Sequence, residues 1–217
     1  MRNFAVIAMS ATALAGCETP ALTAPAIEPA ASAAEARTPE AAREVVAFWR
    51  EAGPSLWFAK DPGFDARFRQ RFIALHEAAA RGELDGWMRT PEGALALIIL
   101  LDQFPRNAFR GTPRMYAMDA KARAVTRAAL GAGQDKQVDL PMRLFVYLPL
   151  GHSEDLQDQE DSVRLAAENL RPEDLVHAEG HRDIIRRFGR FPHRNPILGR
   201  PMRPEEQAFL DAGGFAG

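Results

Sequence analysis

Residues 181–195 combine side chains that could hold an anion with side chains that could move a proton. This short segment contains five arginines, two histidines and one aspartate. Planar guanidinium groups donate paired N–H groups whose geometry matches carboxylate and phosphate oxygens. Because a solvated helix rarely needs so many arginines, the segment is our first candidate for a ligand site. The candidate residues are His181, Arg182, Asp183, Arg190, His193, Arg194 and Asn195.

A second polar cluster, Asp102, Arg106 and Asn107, follows a run of apolar residues. A carboxylate at the end of an apolar helix is costly to bury unless a cation pairs with it, and Arg106 is an obvious partner. Pro105 predicts that the helix stops at this cluster and that the chain turns there. A buried ion pair that caps the helix and a ligand contact both fit this pattern.

A third cluster contains His152, Glu154 and Asp155. Ser153 is the predicted N-cap of the next helix, and the two acids after it favour the positive end of the helix dipole. These structural roles leave His152 unexplained. At a helix N-terminus, His152 would lie beside free backbone N–H groups, which attract anions.

The histidines are the candidate catalytic groups, because His152, His181 or His193 could donate or accept a proton near neutral pH. His177 and His181 are four residues apart, but a closed metal site needs three or four ligands and no H-E-x-x-H pattern is present. We therefore expect no metal and no cofactor. Ser153 lacks a G-x-S-x-G elbow, which disfavours a serine-triad hydrolase.

Two functions fit these clusters. If the clusters converge in the fold, their arginines would hold an anionic small molecule in a pocket lined by Arg, His and Asp. In the alternative, the domain is a TPR-like protein-interaction scaffold, and the clusters are ion-pair networks that lock helices together.

The elements that must position these clusters are helices. No stretch shows sustained polar and apolar alternation, so we predict an all-α fold of one domain, residues 38–217. Residues 94–101 are apolar on every side, so their helix must be central. Helix pairs joined by short loops indicate a TPR-like stack of about seven to nine helices, without a clean 34-residue repeat. Helices are expected to begin near Thr38, Asp61, Thr90, Asp119, Asp139, Ser153, Pro172 and Arg203.

Composition limits the partners. The chain has 217 residues, 47% of them hydrophobic, and a formal net charge of -2. A chain of this length can bury a substantial core. The slightly negative charge argues against binding to nucleic acid and against a polybasic attraction to membranes.

The amino-terminal residues have the pattern of a lipoprotein signal. Residues 1–16 contain a short basic start and an apolar run too short to span a bilayer. Residues 14–17 form a lipobox, and Cys17 is the one cysteine in the chain. Residues 17–37, rich in alanine and proline, are predicted to be a disordered tether. An ordinary secretory signal, or a misassigned start before a cytoplasmic domain, is the alternative.

These features predict a domain on the periplasmic side of the cell envelope, anchored in the lipid bilayer through lipidated Cys17. Glu18 follows the cysteine in place of the aspartate that commonly marks inner-membrane retention, so we prefer the outer membrane.

The polar clusters also carry a family resemblance. Residues 101–107, residues 147–155 and residues 181–200 resemble the bacterial domain-of-unknown-function family 924, and the resemblance covers about residues 43–211. It implies an all-helical, TPR-like fold without an established activity. In two respects the chain departs from the family pattern. Leu150-Gly151 replaces the usual Phe-Glu, which removes a carboxylate near the expected pocket, and the lipobox is absent from the usual intracellular members.

Lipid anchoring can be tested at Cys17. Cys17→Ser should block lipidation and move the protein from the membrane fraction to soluble or unprocessed forms. Fractionation and intact mass measure both effects. An unchanged mass and an unchanged distribution between fractions would refute the lipoprotein interpretation.

Overall fold

The computed structural model describes Met1 and residues 37–217, and within these residues the secondary structure is helical, with no strand. Ten α-helical segments occur, and two of them join through a π-helical turn, which leaves nine helices. They are α1 (Glu40–Ala52), α2 (Pro54–Trp57), α3 (Pro62–Ala80), α4 (residues 91–108), α5 (Asp119–Gly131), α6 (Leu140–Gly151), α7 (Leu156–Asn169), α8 (Pro172–Phe188) and α9 (Pro204–Asp211).

The all-α prediction is confirmed, and the helix number agrees with the expected range. The TPR-like arrangement stays a prediction. Among residues 37–217, no helix is long and apolar enough to cross a bilayer. The predicted signal, the tether and Cys17 lie outside the described residues, apart from Met1 and Arg37.

Helix α4 is the centre of the fold, as its composition predicts. Residues 94–101 are all buried, and α4 contacts α1, α3, α5 and α6. The helix begins where expected: Thr90 Oγ1 accepts a hydrogen bond from the Gly93 N–H, with Pro91 in the first turn. A second, smaller apolar cluster joins Ile184, Ile185, Phe188 and Phe191 to Phe209 of α9.

The prediction that Pro105 ends this helix is wrong, because the helix continues to Ala108. Residues Ile99–Gln103 form one turn of π-helix, in which the Phe104 N–H donates to the Ile99 carbonyl five residues back. In a regular α-helix the proline ring would clash with the carbonyl four residues before it, and the wider π turn accommodates the ring. Asp102 therefore lies inside the central helix and not after it.

His76 of α3 completes this turn. In the π register the N–H of residue 105 would meet the Leu100 carbonyl, but proline has no N–H. His76 Nδ1 lies 2.9 Å from that carbonyl oxygen and donates to it. Burial lowers the pKa of His76, so its ring is neutral and stacks on Phe104. Sequence patterns gave His76 no role, because its partner is on another helix.

The predicted N-cap of α7 is also wrong by two residues. Asp155, not Ser153, caps the helix: its Oδ1 accepts hydrogen bonds from the backbone N–H groups of Gln157 and Asp158, at 2.8 and 3.2 Å. A carboxylate accepts these bonds more strongly than a hydroxyl does. His152 consequently lies at the carboxyl end of α6, where its N–H donates to the Leu148 carbonyl.

The bond between His76 and Leu100 predicts a measurable coupling with Pro105. His76→Leu leaves a buried carbonyl without a donor and should lower the free energy of unfolding by about 1–3 kcal/mol. In a Pro105→Ala background the new N–H can satisfy the Leu100 carbonyl, so the same substitution should cost less. Urea unfolding of the four proteins gives the cycle. Equal costs in both backgrounds would contradict this account of the π turn.

Candidate functional site

Parts of all three predicted polar clusters lie together in the fold. Helix α4 supplies two of the residues, the end of α6 supplies one, α8 supplies one, and the 3-10 turn Pro192–Arg194 supplies two. These residues are Asp102, Arg106, His152, His181, His193 and Arg194. We call this group the arginine-histidine site.

Asp102 is the buried centre of the site. Its carboxylate accepts hydrogen bonds from Arg106 Nη2 at 2.9 Å, from Gln103 Nε2 at 2.7 Å and from His152 Nδ1 at 2.9 Å. Burial alone would raise the pKa of Asp102, but Arg106 and His152 hold it well below its usual range. The carboxylate is therefore ionised, and its partners are fixed by it.

His152 is held as one tautomer by this carboxylate. Because an ionised carboxylate only accepts hydrogen bonds, Nδ1 must carry the proton that lies between His152 and Asp102. Arg106 Nε also lies 3.2 Å from His152 Nδ1. Because Nδ1 carries a proton, it cannot accept a hydrogen bond from Arg106. Burial and the charge of Arg106 lower the pKa of His152, so the ring is neutral. The other ring nitrogen, Nε2, is left with its lone pair.

Asp119 joins the two arginines of the site. Its Oδ1 accepts from Arg106 Nη2 at 2.9 Å, and its Oδ2 faces Arg194 Nη1 at 3.4 Å. The Arg194 guanidinium lies 4.6 Å from the ring centroids of both Tyr116 and Phe191. This stacking restricts the guanidinium to one plane.

One nitrogen on each of two neighbouring residues has no partner. Arg194 Nη2 donates to the His152 carbonyl at 2.8 Å, yet its Nε is buried and has no hydrogen-bond partner among the described residues. The same holds for His193 Nδ1. Buried nitrogens of this kind usually find a partner, so each one requires an explanation.

His181 and His193 are neutral. Burial, followed by nearby cationic side chains and histidines, lowers the pKa of each to about 3. The ring centroids of His152 and His181 are 6.3 Å apart. The site thus contains three uncharged imidazoles next to two guanidinium groups.

Three other predicted ligand residues have structural contacts outside the site. Arg190 donates to both oxygens of the buried Glu206, at 2.7 and 2.8 Å, and Asn195 Nδ2 donates to it at 3.1 Å. Glu154 accepts from two nitrogens of Arg200 and from the Phe191 N–H. These contacts fasten the loop after α8.

The remaining predicted residues also lie apart from the site. Asn107 donates to the Gln103 carbonyl, and Asp155 caps α7 as described above. Arg182 and Asp183 pair with each other, and the Asp183 side chain is 61% exposed. Within the described part of the chain, no group of three or more metal-ligating side chains is placed to hold an ion.

Three site neighbours were missed in the sequence. Asp119 was interpreted only as a helix start, and Tyr116, the last residue of the short 3-10 helix Pro113–Tyr116, was given no role. Phe215 lies in a run of glycine and alanine, yet its ring centroid is 4.6 Å from that of His181. Only the fold brings these residues to the site. Beyond the Phe215 ring, a groove of about 370 Å³ continues along α8.

Comparisons with known proteins agree with this fold. The family model described as "Bacterial protein of unknown function (DUF924)" matches residues 45–214. A solved structure, of a protein of unknown function from Agrobacterium tumefaciens, is 51% identical in sequence and has a TM-score of 0.78. The match covers 80% of this chain and 98% of that one. No match was found among curated proteins.

Because these histidines are neutral in the fold, we predict that the free energy of unfolding decreases as the pH is lowered. In the unfolded chain histidine protonates near pH 6.5, whereas His181 and His193 in the fold resist protonation down to about pH 3. Between these two pH values the unfolded state binds more protons than the folded state. Each histidine therefore lowers the free energy of unfolding by at most about 1.4 kcal/mol for each unit by which the pH is lowered. Urea unfolding at pH 7.5 and pH 5 should show a smaller loss for His193→Gln than for the wild type. Equal losses would contradict the assignment.

Proposed function

The chain belongs to the DUF924 family of bacterial proteins, and because that membership implies no activity, we propose a function from geometry: the arginine-histidine site binds a small molecule that carries a carboxylate or phosphate group. The observation that carries this proposal is the pair of unpartnered buried nitrogens, Arg194 Nε and His193 Nδ1. An anion oxygen accepts from a guanidinium N–H and from a protonated ring nitrogen.

The ion pairs elsewhere provide a contrast. Arg200 uses all three of its side-chain nitrogens on Glu154, on Asn195 and on the Phe191 carbonyl. Arg190 likewise has its Nε and Nη2 on Glu206. Arg194 instead retains an unused N–H in a buried position. This difference supports a ligand role for Arg194 and structural roles for the other two.

The charges of the site explain how an anion would be balanced. Arg106 and Arg194 are offset by Asp102 and Asp119, and the three histidines are neutral. A bound anion therefore adds a negative charge that a protonated histidine can offset. Because an adjacent anion raises the pKa of histidine, binding should be coupled to proton uptake. His193 is the candidate for this proton, since its Nδ1 has no other partner among the described residues.

Within this function, we assign proton transfer to His152. Asp102 holds the Nδ1–H, which leaves Nε2 as a proton acceptor, and the same arrangement orients the base in Ser-His-Asp enzymes. A buried carboxylate also stabilises the imidazolium that forms when the base takes a proton. His181 and His193 act in this proposal as hydrogen-bonding groups that position the ligand.

The alternative is the TPR-like interaction scaffold. Its specific support is the Glu206 network, in which a fully buried carboxylate holds Arg190, Arg203 and Asn195. Such a network locks helices together. The scaffold gives no use to the free nitrogens of Arg194 and His193, so we prefer the ligand site.

We also propose that the domain is anchored at the periplasmic side of the envelope, with the outer membrane preferred and the cytoplasm as the alternative. This proposal depends on the lipobox at residues 14–17. Its test is the Cys17 substitution described above.

Phosphate-dependent stability tests the anion site. A ligand that binds only the folded state adds RT ln(1 + [L]/Kd), about 1.4 kcal/mol at ten times Kd. Wild-type unfolding midpoints should rise with phosphate or acetate, and rise more at pH 6 than at pH 8. Arg194→Gln should abolish the rise.

Arg190→Gln is the matched control. It weakens the Glu206 network and should lower the free energy of unfolding, while the phosphate response persists. A wild-type midpoint that does not respond to either anion at any pH between 5 and 8 would support the scaffold instead.

A further inference from the structure

The segment after α9 returns to the arginine-histidine site. Gly213 has a φ of 82°, and the Gly213 and Gly214 N–H groups donate to the carbonyls of Leu210 and Phe209. This turn reverses the chain, as left-handed glycines at helix ends do. The Gly214 backbone lies directly against the Phe209 ring, where an added Cβ would be 2.5 Å from a ring carbon.

Phe215 then lies among three aromatic rings. Its centroid is 4.6 Å from His181, 5.1 Å from His193 and 6.3 Å from Phe191. These distances fall within or near the range of favourable aromatic pairs. The two imidazoles are the same neutral rings that border Arg194. An aromatic subsite therefore adjoins the anion donors.

Phe215 is held loosely for a residue in such a place. The residue is 42% exposed, and residues 215–217 make no hydrogen bond to another described residue. Its neighbours in the segment are glycine and alanine, so the ring is the one large apolar group there. A partly exposed segment with unpaired backbone groups opens at low free-energy cost.

The groove beyond the ring extends the apolar surface. Its volume is about 370 Å³, and Phe215 and His181 form its border with the site. Its lining includes Val176, Ile184 and Phe188 of α8 and Phe209 of α9, together with the charged side chains of Asp183 and Arg187. A ligand ring larger than one phenyl group has room to continue in this direction.

We infer that the ligand of the arginine-histidine site is an anion that carries an aromatic ring, and that Phe215 occupies the place of that ring as an internal competitor. This inference rests on the proposed anion site. Ligand binding requires the segment to move, so the measured affinity is reduced by the fraction of molecules in which Phe215 is in place. The Phe215 ring, which fills the subsite in the free protein, thus indicates that the ligand also carries an aromatic ring.

Isothermal titration calorimetry with two matched pairs of anions tests this inference. The pairs are phenyl phosphate with inorganic phosphate, and benzoate with acetate. The ring-bearing anion of each pair should bind about tenfold more tightly, which corresponds to about 1.4 kcal/mol. Phe215→Ala should tighten binding of the ring-bearing anions about tenfold more, and change binding of inorganic phosphate and acetate less than about twofold.

Two further variants make the test specific. Gly214→Ala leaves Phe215 in the chain but places a methyl group against the Phe209 ring, so it should displace the segment and tighten phenyl phosphate binding. Phe58→Ala removes another exposed phenylalanine, one that stacks on Phe145, and should leave all four affinities unchanged. Thermal melts of each variant check that the fold is retained.

The outcomes separate the two proposals. If phosphate and acetate bind but the ring-bearing anions bind no more tightly, the aromatic inference is wrong and the anion site stands. If Phe215→Ala and Gly214→Ala both weaken phenyl phosphate binding, Phe215 is a wall of the site and not a competitor. If none of the four anions binds any variant, the proposed function itself fails.

Discussion

Ionised Asp102 inside the central helix is the constraint on which the site depends. A buried carboxylate must have its lone pairs satisfied, and here Gln103, Arg106 and His152 satisfy them. The π turn places Asp102 in this position and accommodates Pro105. The tautomer of His152 and the orientation of Arg106 follow from that one charge. Because α4 is buried along its length, these groups have a rigid support.

The arginines of the chain have two kinds of role, although their local sequences are alike. Arg190 and Arg200 form ion pairs with carboxylates, and these ion pairs hold the loop after α8 in place. Arg194, in the same loop, is aligned by aromatic rings and retains a free N–H. The ion pairs of Arg190 and Arg200 therefore position the loop that contains Arg194. A single loop thus contains arginines held in ion pairs and one arginine with a free N–H among the described residues, the two arrangements that the scaffold and the proposed ligand site would use.

Sequence patterns predicted those features of the fold that depend on residues close together in the chain. Helix starts at Asp61, Thr90, Pro172 and Pro204 could be predicted, because capping side chains and prolines act within a few residues. The structure brings six residues of the three clusters together, which is part of the convergence that the first of the two functions assumed. The continuation through Pro105 could not be predicted, since it depends on His76 from another helix.

The remaining errors have the same cause. Ser153 and Asp155 are both good caps by type, and Gln159 decides between them: its amide donates to the carbonyls of Gly151 and Ser153 and keeps that stretch out of the helix. Asp119 and Phe215 reach the site only through long-range packing. Pairings between distant residues leave no periodic signal in one sequence.

Gly151 lies beside His181 and contributes no side chain to the site. A Cβ at this position would lie 3.8 Å from His181 Nδ1. The family resemblance implies a glutamate at this position, and a carboxylate on that side of His181 would favour the protonated ring. With glycine, His181 remains neutral and can pack against Phe215 as an apolar surface. Relative to the pattern that the resemblance implies, glycine leaves His181 with one charged neighbour fewer and with an aromatic wall, while Asp102 and Asp119 are already paired. In the function proposed above, proton transfer therefore depends on His152, whose partner is fixed, proton uptake on anion binding depends on His193, and ligand shape depends on the rings around Phe215.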